Sequence, residues 1–374
     1  MAISIEEFYG ALRDHDAGCM VGVPDSLLKS FCSYAQDHST QDAPFMIAAN
    51  EGNAVAIAAG YYISSGKYSV VYMQNSGIGN AVNPLLSLCD KEVYSIPMLL
   101  LVGWRGEPGV KDEPQHVKQG KVTVDLFKAM GIKCEVLDES CYRQQIDGIF
   151  DYLKANQSPY ALIVKKGAFT SYSWKPEQSL YPMSREEALK TLVSGIPRED
   201  FIVSTTGKTS RELFEIREAN NEPHSHDFLT VGSMGHASSI AFGMSFGNQS
   251  KTIWCIDGDG AFIMHMGAAP FIAHNAASNL KYIVNVNGAH ESVGGQPTLG
   301  FDIDLPGILR DSGFSQVLTA KTSKEIMNAL EMMKGATGPC ALVLYTRQGS
   351  RSDLGRPTIP PCNNKIEMMK AFQE

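Results

Sequence analysis

The sequence predicts an α/β protein built from two doubly wound parallel-sheet domains. Apolar runs alternate with helix-like stretches, and the runs are continuous, as expected of parallel strands covered on both faces. The alternation stops at a polar passage containing two prolines, TSYSWKPEQSLYPMS (170–184), and then starts again. We therefore predict two similar halves: a first domain over 1–169, a linker over 170–184, and a second domain with a C-terminal tail over 185–374.

Each half offers six strands in a βα order. The chain opens with a helical pattern, in which Ile5, Phe8 and Leu12 recur at helical spacing. The predicted strands of the first half are CMVGV, PFMIAA, YSVVYMQ, IPMLLLVG, KCEVLD and YALIVKKG. Those of the second half are FIVSTT, FLTVG, KTIWCID, LKYIVNVN, SQVLTA and PCALVLYT. Ligands of such sheets bind at the carboxyl ends of the strands, near a topological switch.

Composition and charge exclude several classes of protein. A length of 374 residues suits two domains, and a net charge of −8 argues against nonspecific binding of nucleic acid. The eight cysteines form no CxxC pair, and no apolar run approaches the ~18 residues that a membrane span needs. We therefore predict a cytoplasmic protein that binds neither nucleic acid nor a membrane.

The stretch KTIWCIDGDGAFIMHMG places Asp257 and Asp259 between glycines at the end of a predicted strand. It matches neither an EF-hand nor a GxGxxG loop, whereas a plain acidic turn remains open on this fragment alone. Asn287 ends the next predicted strand, 28 positions after Asp259, so both residues should face one edge of the sheet. An Asp carboxylate, an Asn amide oxygen and a nearby carbonyl form an oxygen set suited to Mg²⁺.

The GDG tripeptide followed by Asn287 resembles the diphosphate-anchoring signature of thiamine-diphosphate (ThDP) enzymes. That family usually shows two adjacent asparagines, whereas this chain has NVN, with Val286 at the first position. The resemblance implies ThDP and Mg²⁺ as cofactors, and a pyrimidine-type domain followed by a diphosphate-type domain. It also implies three metal ligands: Asp259, Asn287 and the backbone carbonyl of Ala289.

Further segments are similar to the same family. IAANEGNAVAIAAGYY carries Glu51, which the resemblance makes the acid that activates the aminopyrimidine; an ordinary acid in a first helical turn is the alternative. VGSMGHASSIAFG makes Met234 the residue that bends the cofactor, with a simple core position as the alternative. The resemblance assigns these residues to cofactor binding: Asn75, Gly77, Thr206, Gly207, Gly232, Ser233, Met234, Gly258, Gly260 and Ala261.

The resemblance also implies an oligomer. In this family the cofactor spans the two domain types across a subunit boundary. Glu51 belongs to the first half of this chain, and Asp259 belongs to the second half. We therefore expect a homodimer or a higher homo-oligomer with sites shared between subunits.

Two loops and the tail narrow the reaction. The segments 99–121, 287–298 and YTRQGSRSDLGRP resemble the phosphonopyruvate decarboxylase family, and the match covers essentially the whole chain. It implies decarboxylation of 3-phosphonopyruvate, a small anionic 2-oxo acid, to phosphonoacetaldehyde and CO₂. A phosphonate dianion favours clustered cations. We assign substrate binding to Asp25, Arg105, Lys118, Arg347 and Arg351, and for each of the four cations a solvated surface role remains the alternative.

The same loops carry three candidate catalytic residues besides Glu51, namely His116, His290 and Glu291. We predict that they transfer a proton to the reaction intermediate or orient the substrate. The alternative is that they hold their own loops in shape.

Three rival functions share part of this pattern. Sulfopyruvate decarboxylase has the same site logic, but it is often split into two chains, and the fused chain here favours the phosphonate enzyme. A synthase of the acetolactate type would need a third domain between the halves, for which there is no room. A non-catalytic ThDP-binding partner subunit remains a further alternative, disfavoured by the joint presence of Glu51, Asp259 and Asn287.

Overall fold

The computed structural model describes residues 2–175, 180–276 and 278–374. The chain divides into two compact units, Met1–Pro176 with Ser292–Gln296, and Glu177–Glu291 with Pro297–Glu374. Residues 176–179 of the predicted linker lie outside the described residues. The domain limits given above therefore remain a prediction.

The first unit contains a six-stranded parallel sheet with the order β2-β1-β3-β4-β6-β5. Its strands are β1 (Ala17–Gly22), β2 (Phe45–Ile47), β3 (Tyr68–Gln74), β4 (Leu99–Gly103), β5 (Lys133–Val136) and β6 (Tyr160–Val164). Its helices are α1 (Ile5–Asp14), α2 (Lys29–Asp37), α3 (Glu51–Ser65), α4 (Ile78–Pro84), α5 (Pro114–Ala129) and α6 (Tyr142–Asn156).

The second half also contains a six-stranded parallel sheet, with the order β13-β14-β10-β9-β7-β8. The strands of this sheet are β7 (Phe201–Ser204), β8 (Asp227–Leu229), β9 (Ile253–Gly258), β10 (Leu280–Val286), β13 (Gln316–Ala320) and β14 (Cys340–Tyr345). The two-residue strands β11 (Ala289–His290) and β12 (Gln296–Pro297) lie outside it. The helices of the second half are α7 (Arg185–Gly195), α8 (Lys208–Ala219), α9 (Ala237–Gly247), α10 (Asp259–Met264), α11 (Ala268–Asn275), α12 (Leu305–Asp311), α13 (Ser323–Lys334) and α14 (Pro361–Ala371).

The predicted fold class is confirmed, and the two halves repeat one topology. Each of the twelve predicted strands overlaps a strand of the two six-stranded sheets. Read from its β8 edge, the second sheet runs β8-β7-β9-β10-β14-β13, which matches the order of the first sheet position by position. The strand order reverses direction at β1/β3 and at β7/β9, so these are the switch points where ligands of such sheets bind.

Both faces of each sheet are covered, which explains the continuous apolar runs. In β3, Val70 and Tyr72 pack into one core, and Val71 and Met73 pack into the other. In the second sheet, Trp254 lies fully buried in the core opposite to that of Cys255. A polar residue at any of these positions would therefore be buried without water.

Across the described ranges, no helix combines the length and the apolar character needed to cross a membrane.

Candidate active site

The carboxyl ends of β9 and β10 bring together the two residues that the sequence predicted as metal ligands. The strands are parallel neighbours, with Gly258 in register with Asn285. Asp259 begins α10 directly after β9, and Asn287 follows β10 by one residue. The two side chains therefore lie at the same edge of the sheet, beside the β7/β9 switch point.

Asp259 is buried, and every hydrogen bond to its carboxylate comes from this edge. Its Oδ2 accepts from the Gly288 N–H at 2.9 Å and from the Thr298 hydroxyl at 2.5 Å, and its Oδ1 accepts from the Gly260 N–H at 2.9 Å. Burial raises the pKa of Asp259 to about 6. The loop that contains Asn287 is thus fastened directly to the Asp259 carboxylate.

Asp257, the first acid of the loop, has a different environment. Its Oδ1 accepts from the Gly258 N–H at 2.9 Å, and its Oδ2 accepts from the Tyr282 hydroxyl at 3.1 Å. The residue is fully buried, and burial raises its pKa. Both carboxylate oxygens of Asp257 therefore have hydrogen-bond partners within the protein. Asp259 remains as the acid of this loop that can serve as a metal ligand beside Asn287.

The oxygen atoms at this edge fit a hard divalent cation. Among the residues that the structure describes, Asp259 Oδ1 accepts one hydrogen bond, and Asn287 Oδ1 accepts only the Ala289 N–H, at 3.2 Å. Each oxygen retains a lone pair, and with the Ala289 carbonyl they form the kind of set that Mg²⁺ binds beside phosphate oxygens and water. Within the described ranges there is no cluster of three His, Cys, Asp or Glu side chains that could hold a metal ion.

The loops after β7 and β8 present backbone N–H groups at the same edge. Thr206 accepts a hydrogen bond from the Gly232 N–H at 3.0 Å, which ties the two loops together. Gly207 has a φ of 97° and precedes Lys208, the first residue of the twelve-residue helix α8. Free N–H groups and the positive end of a helix dipole favour a phosphate at such a place.

The loop after β8 holds an uncommon backbone. Gly232 has a φ of 70° and Ser233 a φ of 48°, and the half-buried Met234 follows them. A non-glycine residue at positive φ is sparsely populated and concentrates at functional sites. Gly258, Gly260 and Ala261 lie around the start of α10 and complete the predicted cofactor residues of this half.

Glu51 lies at the first position of α3 in the first unit, and it is 5% exposed. Its Oε2 accepts a hydrogen bond from Asn80 Nδ2 at 2.7 Å. A Cβ atom at Gly77 would overlap Glu51 Oε1, so only glycine leaves room for the carboxylate in this position. The Glu51 carboxylate is therefore buried, its Oε2 is held by Asn80, and its Oε1 lies against the backbone of Gly77.

Asp25 lies beyond the carboxyl end of β1, at the β1/β3 switch point, and is fully buried. Its Oδ2 accepts from the Leu27 N–H at 3.0 Å, whereas Oδ1 has no hydrogen-bond partner among the described residues. The Gln115 and Gln119 side-chain oxygens of α5 are likewise buried and without a partner in that part of the chain. Buried acceptors without a protein partner are available to a bound ligand or to ordered water.

Asp25 gives a prediction for stability against pH. Burial raises its pKa to about 6 from an ordinary 3.8, so folding takes up a proton between these values and the charged form destabilises the fold above pH 6. Asp25→Asn should therefore be more stable than the wild type at pH 8, with the difference shrinking at pH 5. Urea unfolding at both pH values measures this. The exposed Asp125→Asn is the control, and an equal effect of Asp25→Asn at both pH values would contradict the prediction.

Asn75, predicted to shape the cofactor pocket, fastens the loop after β4. Its Nδ2 donates to the Arg105 carbonyl at 2.8 Å and to the Thr123 hydroxyl at 2.9 Å, and its Oδ1 accepts from the Arg105 N–H at 3.1 Å. Its side chain is therefore used within the first unit. The predicted role of Asn75 in shaping the pocket would act through this loop.

Glu291 is engaged on both carboxylate oxygens. Oε2 accepts from Arg185 Nη1 at 2.5 Å, and Oε1 accepts from the Gly349 N–H. Arg185 also makes a bidentate pair with the buried Glu212, at 2.7 and 2.8 Å. This arrangement favours the alternative stated above, in which Glu291 holds its own loop, and here it fastens that loop to α7 and to the tail.

Removing the buried arginine should be costly. Arg185→Leu would leave Glu212 and Glu291 buried without a counter-charge, and we expect the free energy of unfolding to fall by about 3–5 kcal/mol. Chemical denaturation measures the change. Lys190→Ala, which removes a 59% exposed partner of Glu186, is the control and should cost less than about 1 kcal/mol. Equal effects of the two variants would refute the assignment.

The remaining predicted residues lie in varied surroundings. His290 follows Ala289, and burial lowers its pKa to about 4. Lys118 is exposed on α5. Arg347 is exposed, and its Nε donates to the Pro182 carbonyl at 3.1 Å. Arg351 pairs with three carboxylates, those of Glu186, Glu215 and Asp353.

Sequence reasoning missed three residues of this site. Thr298 donates to Asp259, Arg185 supports Glu291, and Asp112 contacts both Arg105 and His116. Asp112 had a usable signal, because an acid four positions before a histidine at a helix start can reach the ring. Arg185 had none, because it lies 106 positions from its partner.

Comparison with known proteins agrees with this geometry. Residues 6–128 match the thiamine pyrophosphate enzyme N-terminal TPP binding domain, and residues 205–344 match the corresponding C-terminal TPP binding domain. Both halves thus carry the class of domain that binds thiamine diphosphate.

Three curated relatives indicate which kind of thiamine-diphosphate enzyme this chain resembles. A phosphonopyruvate decarboxylase of Streptomyces hygroscopicus is 31% identical over 100% of this chain and 94% of its own. One of Streptomyces viridochromogenes is 30% identical over 91% of this chain and 88% of its own. A sulfopyruvate decarboxylase of Methanosarcina acetivorans is 26% identical over 90% of this chain and 89% of its own. The chain therefore belongs to the phosphonopyruvate decarboxylase family of thiamine-diphosphate-dependent carboxy-lyases.

Proposed function

We propose that this enzyme decarboxylates 3-phosphonopyruvate to phosphonoacetaldehyde and CO₂, with thiamine diphosphate and Mg²⁺. The observation that carries the proposal is the 31% identity to a phosphonopyruvate decarboxylase over the whole chain. The geometry supports it, because Asp259 and the Asn287 loop meet at one sheet edge and Glu51 is buried and oriented.

In this proposal each cofactor residue has a definite task. Asp259, Asn287 and the Ala289 carbonyl hold Mg²⁺, and the loops at Thr206–Gly207 and Gly232–Ser233 offer N–H groups to the cofactor. Bound thiamine diphosphate supplies an electron sink for the bond to CO₂. Glu51, with Oε2 held by Asn80, would share a proton with the pyrimidine ring of a bound cofactor, and its burial would keep that proton from water.

The four cations that we predicted to bind the phosphonate differ in whether a carboxylate already compensates their charge. Arg105 and Arg351 are paired with carboxylates, so their charge is already compensated. Lys118 and Arg347 are exposed cations on the loops that the sequence singled out. We propose that these two residues contribute most to binding the phosphonate, and that Asp25 Oδ1, which has no hydrogen-bond partner among the described residues, accepts a hydrogen bond from the substrate or from water.

Sulfopyruvate is the second candidate substrate. The fused chain does not exclude it, because the Methanosarcina sulfopyruvate decarboxylase aligns with 90% of this chain as a single protein. Chain fusion alone therefore does not distinguish the two substrates. A sulfonate carries one negative charge less than a phosphonate dianion, so the two substrates differ in how much they depend on cations.

Release of CO₂ from phosphonopyruvate, sulfopyruvate and pyruvate tests the proposal. The purified chain is supplied with Mg²⁺ and thiamine diphosphate, and kcat/KM is measured for each acid. We expect phosphonopyruvate to have the highest value. A preference for sulfopyruvate would replace the proposed substrate, and no CO₂ from any of the three would contradict the proposed decarboxylation.

We also propose a homodimer or higher homo-oligomer with shared sites, and a cytoplasmic location. The family implies the first, and the eight cysteines, all described and all free, support the second. Sedimentation of the purified chain tests the oligomer, and a monomer that decarboxylates would contradict it.

A further inference from the structure

Asp112 is a carboxylate of the first unit that receives five hydrogen bonds. It lies on the loop between β4 and α5, and its donors are Arg105 Nε at 2.8 Å and Nη2 at 2.5 Å, the Gly106 N–H at 2.8 Å, the Glu113 N–H at 2.7 Å and His116 Nδ1 at 3.0 Å. Arg105 and His116 were both predicted for the site, and Asp112 is the group that joins them.

The charge state of Asp112 follows from these contacts. Burial alone would raise its pKa, but the hydrogen bonds from Arg105, His116 and Gly106 outweigh burial and hold that pKa well below its ordinary value. Asp112 is therefore ionised at neutral pH. An ionised carboxylate only accepts hydrogen bonds, so His116 Nδ1 must carry a proton.

The second ring nitrogen of His116 is then defined as well. His116 is 6% exposed, and burial lowers its pKa, which favours the neutral imidazole. A neutral ring protonated at Nδ1 has a bare Nε2 that accepts a proton or a hydrogen bond.

Arg105 is fixed by the same carboxylate. Two of its nitrogens face Asp112, and the third, Nη1, donates to the Ser26 hydroxyl at 2.9 Å, next to the buried Asp25. A bidentate guanidinium–carboxylate pair sets the plane of the guanidinium as well as its position.

We propose that Asp112 is a positioning residue of this active site: it holds His116 in the Nδ1-protonated form, with Nε2 free to accept a proton, and it aims Arg105 at Ser26. If Asp112 only held its own loop in shape, its hydrogen bonds with the Gly106 and Glu113 N–H groups and with Arg105 would be sufficient. The additional hydrogen bond with the His116 ring fixes the Nδ1-protonated tautomer of that histidine. The catalytic consequence rests on the proposed function, whereas the tautomer does not.

Nitrogen-15 NMR of the histidine rings in the full chain, without added cofactor, tests the tautomer directly. The chain has nine histidines, and the spectrum of His116→Gln assigns the resonances of His116. In the wild type we expect a protonated Nδ1 and a bare Nε2. In Asp112→Asn the amide can donate to Nδ1, so the proton should move to Nε2.

Matched variants separate positioning from folding. Asp125 lies on α5, the helix that contains His116, and its side chain is 78% exposed. Asp125→Asn should therefore leave the His116 tautomer unchanged. Asp112→Glu retains the carboxylate and should retain the Nδ1 proton. If Asp112→Asn does not fold, the wild-type spectrum still decides the tautomer.

Kinetics measure the consequence for the reaction. Asp112→Asn should lower kcat by roughly 10- to 100-fold with a smaller change in KM, and Asp112→Glu should recover part of the loss. A wild-type His116 protonated at Nε2, or a tautomer unchanged in a folded Asp112→Asn, overturns the proposal. If the tautomer switches as expected but the wild type decarboxylates none of the three acids, the proposed function fails and the role of Asp112 in setting the tautomer stands.

Discussion

Asp259→Ala is expected to abolish Mg²⁺-dependent binding of thiamine diphosphate. The carboxylate is buried at the edge where β9 and β10 end, and a cation there would lose the charged member of its three proposed protein ligands. Because loss of even an indirect partner of a metal costs about 10- to 100-fold in affinity, loss of a direct ligand should cost more than roughly 100-fold. Calorimetric titration of the purified chain with Mg²⁺ and thiamine diphosphate measures it.

The neighbouring acid supplies the matched control. Asp257 is equally buried, but its oxygens are satisfied by Gly258 and Tyr282. Asp257→Asn should therefore lower stability and leave Mg²⁺ affinity within a few-fold of the wild type. Circular dichroism verifies that both variants are folded. If a folded Asp259→Ala still bound the cofactor in a Mg²⁺-dependent way, or if Asp257→Asn lost as much affinity, the assignment of Asp259 would fail.

The sequence predicts the fold well because its signal is local. Continuous apolar runs such as YSVVYMQ require burial on both faces, and helices between them force parallel connections. The repetition of the pattern after the proline-marked passage predicts a second sheet, and both sheets have one order. The limits of the runs are less reliable, because PFMIAA yields only the three-residue strand Phe45–Ile47.

The candidate site is predictable only where topology determines it. Asp259 and Asn287 end neighbouring strands, so their proximity follows from the βα order alone. The contacts of Glu291 with Arg185 and Gly349 join segments that are far apart in sequence, and no local sequence pattern predicts them. Arg105 also looks like a free cation in the sequence, although the carboxylate of Asp112, seven positions further along the chain, compensates its charge in the structure. Side-chain contacts between separate segments, such as the ion pair of Arg185 with Glu291 and the hydrogen bond of Thr298 to Asp259, are therefore what the sequence leaves out.

Glu51→Gln is expected to lower kcat by roughly 10²–10⁴-fold while the cofactor stays bound, because the amide removes a proton-sharing group but keeps the shape of the side chain. The Asn80 contact with Oε2 positions the acid, so Asn80→Ala should give a smaller loss in the same direction. Exchange of the C2 proton of bound thiamine diphosphate with deuterium isolates this step from substrate binding. Normal exchange in a folded, cofactor-loaded Glu51→Gln would remove Glu51 from its assigned role. Slow exchange in Asn80→Ala but not in Glu51→Gln would show that Asn80 acts on this step independently of the Glu51 proton, which would likewise contradict the assigned role of Glu51.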